Sequence, residues 1–140
     1  LPAPGQGALA LECRADRPDV REAVAALDHP DTRATTTAER ALLAALEAGC
    51  TAPMGALAEV VEGEDGLELW LRAYVGAPDG SRTLRRSGIG SPDAPDLLGQ
   101  RLAALLLSDG AAALVRGDPT DLLTSSPPSP APLQTREPAS

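Results

Sequence analysis

Residues Leu67–Gly90 read LELWLRAYVGAPDGSRTLRRSGIG, and this stretch decides the fold. Leu67, Leu69, Leu71, Ala73 and Val75 alternate with Glu68, Trp70, Arg72 and Tyr74, the period-two pattern of a strand with one buried face. Ala77–Gly80, APDG, then supplies proline and glycine where a tight turn wants them. Ser81 to Gly90 is expected to pair back as the next strand. One strand earlier, Gly55 to Glu62 leads into the acidic group Glu62, Glu64, Asp65 and Glu68, best read as a solvated hairpin turn. Three antiparallel strands are therefore expected.

Helical patterns flank them. Asp93 to Ser108 is amphipathic and rich in Leu, and Ala111 to Val115 adds a further turn or two. Upstream, a helix is expected from about Asp31 to Ala48, with Asp28 or His29 as cap and Pro30 in its first turn. Thr36 to Glu39 also fits a capping box, so a later start stays open. Ala34, Ala38, Ala41, Leu42, Ala45 and Leu46 form its apolar stripe, and Gly49 is a natural C-terminal cap. Pro18 to Leu27 reads as a shorter helix with Val20, Val24 and Leu27 on one face. Ala8 to Cys13 is a short apolar run suited to a buried strand, with no partner of its own nearby. The fold class expected is α+β: a three-stranded antiparallel sheet with helices packed on one face, preceded by an orphan strand that belongs with an upstream domain.

Composition narrows the functional classes. The 140-residue chain has no Phe, one Trp and one Tyr, so its core must be built from small aliphatics. All twelve basic residues are Arg, and the net charge of −8 argues against a nucleic-acid partner. No apolar run is long enough to span a membrane, and no signal peptide is visible. The chain begins at Leu1 rather than Met and is expected to be a piece of a longer, cytoplasmic protein. From residue 117 onward six prolines and little apolar pattern predict a disordered tail.

Few side chains offer chemistry. One His cannot supply a metal cluster, and His29 reads as a helix-terminus residue. No phosphate-binding glycine loop with a Lys exists. Cys13 and Cys50 suit reduced thiols better than a disulfide. Cys50 lies in LEAGCTAPMG, just past a helix end. It can be a small buried residue under that end, or a thiol held on a tight loop between Gly49 and Gly55. A helix C-terminus carries negative partial charge and does not lower a thiol pKa, so a strongly activated nucleophile is not indicated. Gln6, in the loop PAPGQG, reads on its own first as an amide satisfying its own backbone and only second as a ligand-binding group.

Two segments, LPAPGQGALALECR and TAERALLAALEAGCTAPMGALAEV, together resemble the porphobilinogen deaminase (hydroxymethylbilane synthase) family, whose pattern there is PAxGQGAxxxExR followed by AERxxLxxLxGGCxxPxG. LDHPDT and LRAYVGAPDGS look similar too, and the likeness covers roughly residues 1–116. Ala48 departs from the first glycine of the GGC triplet, and Thr51–Ala52 from the commoner Gln–Val.

The resemblance implies a function for the thiol. In that family the cysteine of the second motif, here Cys50, anchors a dipyrromethane cofactor through a thioether. Porphobilinogen that loses ammonia gives an electrophilic azafulvene carbon, which a modest thiol can trap. Gln6 and Gly7 are implied to lie beside the cofactor, and Cys13 is left with a packing role. The family joins four porphobilinogen molecules head to tail with loss of ammonia and releases hydroxymethylbilane. Its catalytic Asp and substrate-binding Arg residues fall in domains preceding this sequence, so the chain is expected to contribute no catalytic residue and to be inactive alone. The domain boundaries implied are 1–15 for the last segment of the upstream first domain, 16–116 for a cofactor-binding domain and 117–140 for the tail. The partner implied is porphobilinogen, met through the upstream domains of a monomer, with no metal, membrane or nucleic acid. A double-stranded-RNA-binding module shares the helix–three strands–helix layout and is the alternative, disfavoured by the acidic, Lys-free composition.

Overall fold

The computed structural model describes residues 1–47 and 53–116. Its elements in chain order are α1 (Pro18–Ala25), α2 (Pro30–Ala45), β1 (Met54–Gly63), β2 (Gly66–Gly76), β3 (Thr83–Gly90), α3 (Pro95–Ser108) and α4 (Ala111–Arg116). The strands form one antiparallel sheet in the order β1-β2-β3. Ala58 lies opposite Leu71, and Ala73 opposite Arg86. The expected α+β architecture, a three-stranded antiparallel sheet with helices on one face, is what forms.

Side-chain alternation decides which face is covered. Ala56, Ala58, Leu69, Leu71, Ala73, Val75 and Leu84 are buried beneath α2 and α3. Leu67, at the β2 start, escapes the pattern and is exposed. With no Phe available, the core closes by bringing backbones together. A side chain begun on Gly88 or Gly90 would touch Leu98, so these glycines of β3 are where α3 settles on the sheet. Gly99 of α3 and Ala38 of α2 face one another in the same way.

His29 caps α2: its Nδ1 accepts a hydrogen bond from the Thr32 amide at 3.3 Å, and Pro30 opens the helix. Thr36 is therefore inside the helix rather than at its start, and its hydroxyl donates to the Thr32 carbonyl at 2.7 Å. At the other end α2 stops at Ala45, short of the expected Ala48, and Glu47 takes a left-handed φ of 51°. Gly49, the expected cap, lies outside the described residues. α1 is also shorter than expected and buries none of its residues; Leu27, assigned to its apolar face, is 72 % exposed.

Two further expectations are corrected. Residues 8–13 form no strand: Ala8 is half-buried, 9–13 are exposed, and no β-bridge is made there. A strand needs a neighbour for its amides and carbonyls, and β1 offers its free edge to an earlier part of the chain instead. Cys13, assigned to packing, is exposed and free. The tail expected after residue 116 lies outside the described residues.

Candidate functional site

The segment Pro2–Gly7 folds into a turn that its composition requires. The Gln6 amide donates to the Ala3 carbonyl at 3.0 Å, closing a turn with Pro4 at its second position and Gly5, at φ 73°, at its third. That is the residue pair a type II turn favours. Gly7 also takes a positive φ, 92°. The Gln6 side chain folds back, its Oε1 accepting from the Ala3 amide at 3.2 Å. No atom lies within 4 Å of where a side chain on Gly5 or Gly7 would begin, so the outside of the turn is open.

Sequence reasoning missed the residue that holds this turn. Glu39 of α2 is only 6 % exposed. Its Oε2 accepts from the Gly5 amide at 2.6 Å and its Oε1 from the Ala58 amide at 2.8 Å. The Ala56 amide donates to the Pro2 carbonyl at 2.9 Å. β1 is an edge strand, and the amides of Ala56 and Ala58 point away from β2. The free edge that would otherwise invite pairing with another chain is thus closed by Pro2 and Glu39. Contact is close enough that a side chain on Gly55 would meet the Leu1 carbonyl oxygen at 2.7 Å. The available signal was a carboxylate set between the stripe residues Ala38 and Leu42, where a helix that buries its apolar face has no water for it.

Cys50 lies outside the described residues, but both ends of its segment are anchored. Upstream, Leu46 is buried and its amide donates to the Leu42 carbonyl at 3.1 Å. Downstream, the Pro53 carbonyl accepts from the Gly76 amide at 2.8 Å, which begins the β1–β2 ladder. The structure therefore sets Leu1 and Pro2 against the strand that follows the Cys50 segment, while Gln6 and Gly7, further along the turn, are exposed.

Perturbed groups lie elsewhere: the Asp79 carboxyl is held below the ordinary carboxylate range by the Ser81 hydroxyl and amide in the β2–β3 turn, and Asp16 and Asp19 are lowered by Arg14 and Arg17. Among the described residues no three His, Cys, Asp or Glu side chains converge as a metal site. No helix among them is long and apolar enough to cross a membrane.

Residues 34–108 match the family model of the porphobilinogen deaminase C-terminal domain. The chain belongs to the porphobilinogen deaminase family. The porphobilinogen deaminase of Mycobacteroides abscessus is 58 % identical over 120 residues, covering 82 % of this chain and 39 % of that protein. Porphobilinogen deaminase 1 of Streptomyces avermitilis is 54 % identical over 120 residues, covering 82 % and 37 %. The Nocardia farcinica porphobilinogen deaminase is 56 % identical over the same length, covering 82 % and 35 %. The chain thus spans less than two fifths of each of these deaminases. The helix–three strands–helix layout alone would not separate a deaminase domain from an RNA-binding one; the match does.

Proposed function

We propose that this chain is the C-terminal, cofactor-bearing part of a hydroxymethylbilane synthase, a transferase of tetrapyrrole biosynthesis that condenses four porphobilinogen molecules with loss of ammonia. One observation carries the reading: Glu39, from the AER motif, bonds the Gly5 amide of the GQG motif, so the two motifs that mark the family sit together. In this reading Cys50 tethers a dipyrromethane through a thioether. The residues that are described fit such a group, because the turn is open above Gly5 and Gly7 and no side chain fills that space.

When bound, the dipyrromethane supplies the pyrrole carbon from which the product chain grows. The protein's part is to hold and orient. The Cys50 sulfur serves as an anchor that hydrolysis does not cut, and it needs no depressed pKa for one reaction with a strong electrophile. Gln6 has its carbonyl oxygen engaged by Ala3, which leaves its amide N–H groups to donate to acceptors on the cofactor or the growing chain. Gly7 lets those groups approach the backbone. The carboxylate and arginines that perform the condensation belong to the preceding part of the protein, and the whole works as a cytoplasmic monomer.

The test is to join this chain behind the preceding part of the Mycobacteroides abscessus deaminase and follow porphobilinogen consumption. The joined protein is expected to consume porphobilinogen, and this chain alone to consume none. A folded joined protein without activity would contradict the proposal, as would turnover by the chain alone.

A further inference from the structure

The two faces of the sheet differ sharply. The inner face is buried by helices, whereas the outer face carries Trp70, Arg72 and Tyr74 from β2 with Arg85 and Ile89 from β3. Trp70 is paired with Ile89 and Tyr74 with Arg85. Trp70, Arg72, Tyr74 and Arg85 line a groove of about 640 Å³, to which Leu1 also contributes. The chain's one Trp and one Tyr are both here. The Arg72 guanidinium stacks 4.3 Å from the Trp70 ring centre, and that of Arg85 lies 5.6 Å from Tyr74. Trp, Tyr and Arg are the residues that dominate binding energy at protein interfaces, because each pairs a large apolar surface with a directional polar group. Ile89 is 54 % exposed beside them.

We propose that this outer face is where the preceding polypeptide of a complete deaminase docks. Three observations choose that occupant. The matched family model is that of a C-terminal domain, and the aligned part is 39 % of the Mycobacteroides abscessus protein, so a large preceding portion exists to be placed. Leu1 lies in the groove itself, so chain entering at Leu1 arrives on this face and not on the helical one. Charge completes the case: Arg72 is paired with Glu59, while Arg85 has no ion-pair partner among the described residues. The docked surface accordingly presents a carboxylate to Arg85 and an apolar patch to Trp70 and Ile89. This inference rests on family membership and not on the cofactor tether.

Because Trp70 is the chain's single tryptophan, incorporated fluorotryptophan gives one fluorine resonance that reports on this face alone. The labelled chain, carrying Cys50→Ser so that cofactor chemistry plays no part, is titrated with the separately produced preceding part of the Mycobacteroides abscessus deaminase. A saturable shift of the resonance is expected. Arg85→Glu is expected to weaken it by about tenfold or more, with Arg85→Ala in between and melting of both variants unchanged. A complex that leaves the resonance unmoved, no complex at all, or a shift produced by this chain's own concentration would each overturn the proposal.

Discussion

Replacing Glu39 by Ala is expected to cost about 3 kcal/mol of folding stability. Two backbone amides lose a charged acceptor at once, and one of them, Ala58, sits on a strand edge that α2 covers from water. Leaving a buried donor unsatisfied costs about 1–3 kcal/mol, and hydrogen bonds to charged groups lie at the upper end of their range. For a domain whose total stability is on the order of 5–15 kcal/mol, that is a large fraction. Glu39→Gln should recover only part, since its amide nitrogen would face another donor. Urea unfolding of the variants measures the loss. Amide hydrogen exchange gives the local signature, with Gly5 and Ala58 exchanging faster than the core amides of β2 in the Gln variant. Unchanged protection at both amides would show that the carboxylate is not what holds the turn.

The second large effect is expected at Gly99, with a sign opposite to helix propensity. In an exposed helix interior, Gly→Ala stabilises by roughly 0.5–1 kcal/mol. Here a methyl group would lie 2.4 Å from the Ala38 carbonyl oxygen and 2.8 Å from both the Leu42 amide nitrogen and the Ala41 Cβ. These are mostly backbone atoms of α2 and cannot rotate aside. The helices must separate, which loosens Leu42, Leu102 and Leu106 in the core they share. Overpacking of this kind costs about 1–3 kcal/mol. Gly99→Ala should therefore lower the urea midpoint with little change in slope, whereas a raised midpoint would mean that α2 and α3 are not in backbone contact there.

Both effects turn on residues whose importance the sequence hid. The sheet was legible because alternation from Leu69 to Val75 states directly which side is wet. The helices were legible from their stripes and from proline at their starts. What could not be read were relations between segments far apart in the chain. Glu39 read only as the end of a possible capping box, whereas the structure sets Gly5 and Ala58 against it. Gly99 did not stand out in the Leu-rich pattern of α3, and only α2 lying against it gives it a role. The run 8–13 misled for the complementary reason: its apolar composition suits a strand, but pairing depends on a neighbour, and this chain leaves it exposed. At the site, Cys50, Gln6 and Gly7 came from motif likeness, since neither periodicity nor charge distinguishes a tethering thiol from a packed one.

The central claim is the tether at Cys50, and the mass of the protein tests it most directly. This chain, alone and joined behind the preceding part of a relative, is exposed to porphobilinogen, weighed intact and mapped by peptide. The account predicts an adduct of two pyrrole units on the Cys50 peptide in the joined protein only. An unmodified Cys50 in both, open to alkylation, would contradict it.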